Sequence, residues 1–219
     1  MRLNKYLAQH TGISRRAADE AVRQNRVRVN DALPQNGYDV NDTDVVILDD
    51  EIVKPKTETI TIMLNKPPSY VCSRDGQGSA TIYDLLPTEL HELKSVGRLD
   101  KQSSGLLLLT NDGELAHRLT HPSFKKLKQY EVTLHKPLEP LHHQMINDIG
   151  ISLDDGVSKL TLQALDDHKN RWQVTMHEGR NRQIRRTFDA LGYDVIQLHR
   201  TQFGPYALAD LASGSFHTV

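Results

Sequence analysis

The chain lacks the features that mark secreted and membrane proteins. It has one cysteine, Cys72, which excludes an internal disulfide and is typical of a protein in a reducing cytoplasm. No apolar run approaches the roughly 18 residues that a membrane helix needs, and the segment from Met1 to Lys5 has no apolar signal-peptide core. We therefore expect a cytoplasmic protein that has no membrane partner.

The sequence also lacks the short motifs of several enzyme classes. It contains no Gly-x-x-x-x-Gly-Lys, Gly-x-Gly-x-x-Gly, Gly-x-Ser-x-Gly or Cys-x-x-Cys pattern. This argues against nucleotide hydrolysis, dinucleotide redox chemistry, serine hydrolases and a zinc site. His117 and His121 have the spacing of two metal ligands on one helix face, but no third ligand follows at a suitable distance, so we expect no metal.

Charge is balanced over the whole chain but not along it. The formal net charge is −1, with ordinary contents of 37% hydrophobic and 25% charged residues. Residues 1–30 carry seven Lys or Arg against two Asp or Glu, whereas residues 31–60 carry two against eight. The asymmetry predicts a basic face on a small N-terminal unit, with a merely solvated surface as the alternative.

The first residues show the pattern of two short helices. Leu3, Tyr6 and Leu7 recur at helical spacing. Gly12 follows as a residue that tolerates the left-handed conformation at a helix end, and Ser14 is a suitable N-cap for a second helix. We predict a helical hairpin at the start of the chain.

A strand with alternating Arg and Val follows this hairpin at residues 26–30, so both valines would face a core. Residues 2–8, 12–18 and 26–30 resemble the S4 RNA-binding domain, and the resemblance covers about the first 48 residues. It implies that clustered arginines bind RNA, because a guanidinium can donate two hydrogen bonds to a phosphate. The residues expected to do so are Arg2, Lys5, Arg15, Arg16, Arg26 and Arg28.

A change in composition divides the chain. Residues 51–59 contain Pro55 and no apolar periodicity, which predicts a linker between a domain at 1–50 and a larger one at 60–219. The larger part is long enough to bury a core of its own.

Alternating and apolar segments in the larger part predict a sheet with helices between its strands. The predicted strands cover residues 60–64, 70–73, 106–109, 130–134, 159–165, 172–176 and 195–199. Helices are predicted at 113–119, from Pro140 onward, and from Asn181 to Gly192. His142 and His143 lie on the second of these helices and are expected to face solvent.

The most informative stretch is 97–113. Its four leucines, 106–109, lie between turn-forming residues and predict a strand that is buried on both faces. Asp100 precedes this strand in a polar loop, where rigid neighbours would hold a carboxylate in place for chemistry. On the pattern alone, an aspartate that only caps its own loop is the favoured interpretation.

A second stretch, residues 177–186, is rich in arginine. Asn181 is predicted to cap a helix whose first turns contain Arg182, Arg185 and Arg186 along one flank. The helix dipole disfavours cations at that end, so their presence indicates a site for phosphate or another anion.

Residues 97–100 and 104–113 closely resemble the signature of the RsuA-type ribosomal RNA pseudouridine synthases. The supporting matches lie at residues 64–67, 130–132, 178–186 and 198–200. With the S4-like start, the resemblance covers nearly the whole chain in the order of the family. Ser103-Ser104 is a mild departure, because the family often has a threonine there.

The resemblance implies an α+β fold. A small S4 domain (α-α-β) would precede a pseudouridine-synthase catalytic domain with a mixed, mostly antiparallel sheet flanked by helices. It also implies that Asp100 is the catalytic nucleophile, that Tyr130 stacks on a flipped base, and that Arg185 pairs with Asp100 and keeps it ionised. The residues expected to bind the substrate are Arg98, Leu198 (as an apolar floor), Lys66, Arg180 and Arg182.

The implied reaction isomerises one uridine of ribosomal RNA to pseudouridine. It needs no cofactor, because one base moves within one nucleotide. The partner would be ribosomal RNA, free or in a subunit precursor, and the protein a monomer. The form of residues 178–182 favours the large subunit over the small one. The alternative is a non-catalytic RNA-binding or ribosome-assembly protein on the same scaffold; a paired-carboxylate hydrolase is disfavoured, because Asp112 would lie more than about 30 Å from Asp100 by strand rise.

Overall fold

A computed structural model describes residues 1–55 and 58–219. The chain forms two compact units, Met1–Ile60 with Asn111–Gly113, and Thr61–Thr110 with Glu114–Val219. Lys56 and Thr57, inside the predicted linker, lie outside the described residues. Within the described ranges, no helix has the length and apolar character needed to cross a membrane.

The first unit contains the predicted helical hairpin and a small antiparallel sheet of order β1-β2-β3. Its elements are α1 (Leu3–Thr11), α2 (Arg15–Arg23), β1 (Val27–Val29), β2 (Val46–Leu48) and β3 (Glu51–Ile52). Gly12 ends α1 with φ of +81°, and the Ser14 hydroxyl accepts a hydrogen bond from the Ala17 N–H at 3.0 Å, so both predicted helix boundaries are confirmed.

The alternation predicted for β1 is confirmed, with Val27 and Val29 buried and Arg28 exposed. The sheet also extends into the predicted linker, because β3 pairs with β2 and Val53 is buried in the same core. A two-residue strand is too short to show periodicity in a sequence, which is why the pattern does not reveal it.

The second unit is built on one large sheet. Its strands are β4 (Thr61–Lys66), β5 (Lys94–Ser95), β6 (Ser104–Thr110), β7 (Lys128–Leu134), β8 (Ile151–Leu153), β9 (Gly156–Ser158), β10 (Thr161–Ala164), β11 (Arg171–Met176), β12 (Val195–Phe203), β13 (Tyr206–Ala207) and β14 (Phe216–Thr218). The helices are α3 (Gly113–Thr120), α4 (Pro140–Gln144), which continues as a π-helical turn over Met145–Ile149, and α5 (Gln183–Asp189). Three 3-10 turns lie at Ile82–Leu85, Thr88–Leu90 and Pro122–Phe124.

The sheet order is β10-β11-β7-β12-β6-β4-β14, with β13 beside β12 and β5 beside β6; β8 and β9 form a separate hairpin. Strands β12 and β6 run parallel and the other pairs of this sheet are antiparallel. The prediction of a mixed, mostly antiparallel sheet is therefore confirmed. Leu106 to Leu109 are fully buried, as expected of a strand covered on both faces.

One predicted strand is absent, and one observed strand was not predicted. Residues 70–73 form no strand; Val71 makes only an isolated parallel bridge with Thr81. In contrast, the polar C-terminal segment forms β14, in which Phe216 is registered with Leu64. Strand pairing depends on a partner that lies far away in the sequence, so local composition does not determine it.

The expected solvation of His142 and His143 is also wrong, since both side chains are half-buried. The Nδ1 atom of His142 lies 2.8 Å from the Tyr193 hydroxyl. The ring of His143 stacks on Trp172 with centroids 4.9 Å apart. These histidines join α4 to the sheet.

Candidate active site

One cross-strand row brings residues of four separate motifs together. Tyr130 of β7 is registered with Arg200 of β12, Arg200 with Gly105 of β6, and Gly105 with Lys66 of β4. Directly paired residues on neighbouring strands project to the same face of a sheet. Tyr130, Arg200 and Lys66 therefore share one face, together with Leu198, which lies two residues before Arg200.

Gly105 permits the close approach of β6 and β12 at this row. A Cβ atom at this position would lie 2.3 Å from the Arg200 carbonyl oxygen and 2.6 Å from its nitrogen. The backbone of Gly105 also has φ of +102°, which other residues rarely adopt. Any side chain here would separate the two strands that carry the site.

The loop that carries Asp100 is held by a buried lysine. Lys66 is 0% exposed, and its Nζ donates to the carbonyl oxygens of Pro67 (2.9 Å), Asp100 (3.3 Å), Lys101 (3.5 Å) and Ser103 (2.7 Å). Burial lowers the pKa of Lys66, while the nearby Cys72 and Asp100 oppose this shift. The prediction that Lys66 binds the substrate is corrected, because its ammonium group is enclosed and fixes the loop instead.

A second contact fastens the same loop on its other side. The sulfur of Cys72 lies 3.4 Å from the Leu99 nitrogen and 3.3 Å from the Leu99 oxygen. Burial raises the pKa of the Cys72 thiol, so the sulfur is held neutral here. The Ser69 N–H donates to the Lys101 carbonyl at 2.7 Å. The residues on either side of Asp100 are thus both anchored to the segment after β4.

The carboxylate of Asp100 forms an ion pair with Arg182, whose Nη1 is 3.6 Å from Oδ2. The predicted partner, Arg185, directs its Nη1 to the Val195 carbonyl (2.8 Å) and its Nη2 to the Ser103 hydroxyl (3.4 Å). Burial lowers the pKa of Arg185, with Arg182 adding to the shift and Asp100 opposing it. The expected pairing is therefore corrected: Arg182 contacts Asp100, and Arg185 acts on it from a greater distance.

Arg180 does not face the substrate side either. Its guanidinium donates to Oδ1 of Asp155 at 2.7 Å and to the backbone of the β8–β9 hairpin. Arg186 binds the carboxylates of Asp154 and Asp155, and this contact, with that of Arg180, lowers the pKa of Asp155. Of the three arginines predicted along one flank, Arg186 contacts the acidic hairpin, whereas Arg182 and Arg185 contact Asp100 and Ser103.

The start of α5 also differs from prediction. The N-cap residue is Arg182, in a left-handed conformation with φ of 48°, rather than Asn181, and no side chain caps the helix there. The side chain of Gln183 turns back, so that its Oε1 accepts a hydrogen bond from the Arg180 N–H at 3.2 Å. A left-handed arginine is costly for the backbone, and such strain is frequent at functional sites.

Arg200 is a residue of the site that the sequence analysis did not assign. It is 3% exposed, its Nε donates to the Leu106 carbonyl at 2.7 Å, and its guanidinium lies 4.7 Å from the centre of the Phe203 ring. Its Nη2 has no hydrogen-bond partner among the residues that the structure describes. The sequence feature that could have identified Arg200 is its place in the matched stretch 198–200. In the structure it is registered with Tyr130 of β7.

The exposed and buried parts of the site differ in chemistry. Tyr130 and Leu198 are buried, whereas Arg98 is exposed and Asp100 and Arg182 are partly exposed. The arrangement offers an apolar floor and a charged rim around a carboxylate. Such a site can hold a planar base and act on it with an anion.

The basic residues of the first unit are exposed and in part paired with acidic ones. Arg26 donates to both carboxylate oxygens of Asp49 at 2.6 and 2.5 Å, and Arg2 lies 3.2 Å from Asp39. The hydrogen bond from Arg26 lowers the pKa of Asp49. Ion pairs as exposed as these contribute little to stability, because water and salt screen them.

The other basic residues of this unit make neutral contacts. Arg15 donates to the Asn4 side chain at 3.2 Å and Arg28 to the Asp31 carbonyl at 3.2 Å, while Arg16 is exposed on α2. Lys5 is half-buried on α1. Within residues 1–55 and 58–219, no three His, Cys, Asp or Glu side chains are arranged to hold a metal ion.

Comparison with known proteins agrees with this geometry. Residues 60–190 match the family model of RNA pseudouridylate synthases, and residues 1–46 match that of the S4 domain. A ribosomal small subunit pseudouridine synthase A from Pasteurella multocida is 38% identical over 100% of this chain and 96% of its own length. A ribosomal large subunit pseudouridine synthase B from Bacillus subtilis is 36% identical over 97% of this chain and 89% of its own.

A solved structure supports the same conclusion. The crystal structure of a pseudouridylate synthase, 33% identical, superposes with a TM-score of 0.71 and covers 100% of this chain and 96% of that one. The α+β fold that the sequence predicts is confirmed, including its S4 domain. The chain therefore belongs to the RNA pseudouridylate synthase family of isomerases.

Proposed function

We propose that this protein isomerises one uridine of ribosomal RNA to pseudouridine and that Asp100 is the nucleophile. The observation that carries the proposal is the Asp100 loop, which a fully buried Lys66 binds through three carbonyl oxygens. The names of the relatives from Pasteurella multocida and Bacillus subtilis support ribosomal RNA as the substrate.

The proposed reaction is balanced within one nucleotide. The bond between N1 of uracil and C1′ of ribose breaks, the base turns, and a bond forms between C5 and C1′. The proton on C5 leaves and N1 gains one, so no electron or group enters from outside. Asp100 initiates cleavage of the N1–C1′ bond, and the role of the chain is to bind, orient and release the base.

Each residue of the site has a proposed task. Tyr130 stacks on the flipped base and Leu198 forms its apolar floor. Arg185 holds a fixed positive charge near the carboxylate of Asp100. Arg182 is the exchangeable partner: a phosphate of the bound RNA competes for its guanidinium and frees Asp100 to react.

Arg98 is proposed to contact the RNA backbone from the exposed rim. In the first unit, the basic residues predicted above bind phosphates of the RNA. Arg2 and Arg26 do so by exchanging their aspartate partners for phosphate. This assigns RNA binding to residues 1–50 and catalysis to residues 60–219. We also propose that the protein acts as a cytoplasmic monomer, which sedimentation analysis of the purified chain tests.

The large ribosomal subunit is the favoured source of the target uridine. The support is the Glu-Gly-Arg-Asn-Arg form of residues 178–182, whereas the relatives named for the two subunits are similarly identical, at 38% and 36%. Separate assays on protein-free 16S and 23S transcripts distinguish the two sources.

Asp100→Asn tests the proposed function. The amide keeps the shape of the side chain and removes its charge, so we expect pseudouridine formation to vanish in single-turnover assays while RNA binding stays within about threefold. Full activity of the variant would refute the role of Asp100. A wild-type protein that binds ribosomal RNA without turnover would favour the alternative of a ribosome-assembly protein.

A further inference from the structure

A basic stretch of the second unit lies outside the residues discussed above. Residues 115–130 contain four Lys or Arg, two His and no Asp or Glu. The stretch begins in α3, passes through the 3-10 turn Pro122–Phe124 and enters β7. Residues 1–18 and 179–188 share this character, since each stretch carries four Lys or Arg and no Asp or Glu.

Three aromatic rings gather on this stretch. The ring centroids of His117 and His121 are 4.8 Å apart, and that of Phe124 lies 5.8 Å and 6.2 Å from them. Phe124 is 44% exposed, and the Lys126 Nζ lies 5.8 Å from its ring centre. We refer to His117, His121 and Phe124 as the ring platform.

Hydrogen bonds hold the ring platform in place. The Nδ1 atom of His121 accepts from the Ser123 N–H at 3.3 Å and lies 2.7 Å from the Ser123 hydroxyl. The His121 N–H donates to the His117 carbonyl at 2.9 Å. Lys125 follows in a left-handed conformation, with φ of 43°, and is exposed. A rigid aromatic surface flanked by lysines loses little entropy when it binds a ligand.

The segment that carries the ring platform contacts two stretches of the candidate active site. Thr120 packs near Gly97, where a Cβ atom would lie 3.7 Å from its methyl group, and Gly97 is three residues from Asp100. The Lys125 carbonyl lies 3.1 Å from Nδ1 of His177, at the start of the arginine-rich stretch. A strand of RNA that enters the site therefore has this surface within reach.

We propose that the ring platform binds a single-stranded nucleotide of the substrate RNA that neighbours the target uridine. Its base stacks on Phe124, and its phosphates contact Lys125 and Lys126. This inference rests on the proposed function and adds a binding site to it. Aromatic stacking accepts any base, and lysines without acidic neighbours favour a polyanion over a protein surface of mixed charge.

Phe124→Ala tests the stacking contact. The probe is a fluorescein-labelled oligouridylate of twelve nucleotides, and the full chain is used, both as wild type and with Arg15 and Arg16 replaced by alanine to reduce binding by the first unit. We expect Kd to rise about tenfold, within the range of one lost base–aromatic stack. Phe124→Tyr keeps the ring and should retain the affinity, and Leu141→Ala, which alters an apolar residue that is even more exposed (64% against 44%), should not change it.

Lys125→Gln tests the phosphate contact, and Lys169→Gln is its matched control. Both lysines are exposed and left-handed, with φ of 43° and 55°, so the backbone strain is the same. We expect Lys125→Gln to reduce the slope of log Kd against log salt concentration by about 0.7, the value for one contact to single-stranded nucleic acid. Phe124→Ala should leave that slope unchanged.

The outcomes separate this inference from the proposed function. If Phe124→Ala and Lys125→Gln both bind the oligouridylate within twofold of wild type, the inference is overturned. A protein partner then explains the ring platform better than RNA does. If the wild type forms no pseudouridine but Phe124→Ala still weakens oligouridylate binding, the proposed function fails and the RNA site stands. If the wild type forms pseudouridine and Phe124→Ala has an unchanged KM, the nucleotide site at the ring platform is refuted and the proposed function stands.

Discussion

Two groups of charged residues in this protein differ chiefly in burial. Lys66 is fully buried and donates to three carbonyl oxygens of the Asp100 loop, whereas Arg26 and Asp49 are each about 49% exposed and bind each other. The buried ammonium cannot exchange partners without leaving several polar groups unsatisfied, so it fixes geometry. The exposed pair is screened by water and can open at little cost, so it is suited to capture a phosphate.

The difference explains why two basic residues with similar assignments act differently. The family resemblances assigned Lys66 to substrate binding and Arg26 to RNA binding. Only the surrounding structure decides which cation is a scaffold and which is available to a ligand. Arg180 and Arg182 repeat the lesson at closer range: two residues apart, one binds the β8–β9 hairpin and the other binds Asp100.

The largest effect is expected for Lys66→Met. Methionine fills similar volume but leaves the carbonyl groups of the Asp100 loop unpaired, so the loop shifts. We expect kcat for pseudouridine formation to fall by about 100-fold, since displacements near 1 Å can have that effect, and Tm to decrease. Lys169→Met, on an exposed lysine, should change neither. Unchanged kcat in Lys66→Met would mean that the buried lysine does not position Asp100.

Arg185→Ala and Arg182→Ala should separate a fixed charge from an exchangeable one. Arg185 is held by Val195 and Ser103, so its loss should lower kcat by about tenfold with little change in KM. Arg182 is expected to exchange Asp100 for phosphate, so its loss should raise KM by about tenfold, as for one charged hydrogen bond. Steady-state kinetics on one RNA measure both. The reverse assignment of the two effects would contradict the proposed roles.

Asp49→Asn should tighten RNA binding. Without the carboxylate, Arg26 is free to bind a phosphate, and we expect Kd for ribosomal RNA to fall by only about two- to fivefold, because an exposed ion pair is weak. Arg26→Ala should weaken binding and reduce its dependence on salt. Fluorescence anisotropy at several salt concentrations reports both changes. Weaker binding by Asp49→Asn would show that this pair stabilises the domain rather than gating its ligand.

The smallest effect concerns His199, which is half-buried on the other face of the sheet between Ser104 and Glu131. Burial lowers the pKa of His199, with Glu131 opposing this. The folded state therefore binds a proton less readily than the unfolded chain, and stability should decline as pH falls below about 6.5, the unfolded value. His199→Gln should show a smaller loss of Tm between pH 7.5 and 5. An equal loss in both proteins would exclude His199 as the cause.

Much of the fold could be predicted from the sequence, because the spacing of apolar residues reflects which side chains are buried. Alternation in β1, the leucines of β6 and the caps at Gly12 and Ser14 each follow from nearby residues. The strand β14 was not accessible, since it is a short polar segment ordered by pairing with β4.

The candidate site could be predicted from the sequence only in part. The motif identified Asp100 and the residues around it, yet it assigned Lys66 and Arg180 to the substrate and Arg185 to the ion pair. Those errors share a cause: motif spacing does not report where a long side chain ends. The left-handed backbone of Arg182 and the enclosure of Lys66 depend on contacts across the sheet.

The most direct test of the account is a map of pseudouridine in ribosomal RNA from a strain that lacks this protein. We expect one site in the wild type to be absent from that strain and to return when it expresses the wild-type chain or Asp112→Asn, which alters a carboxylate at the other end of β6. Asp100→Asn should not restore it. Restoration by Asp100→Asn, or a map that is identical with and without the protein, would contradict the central claim.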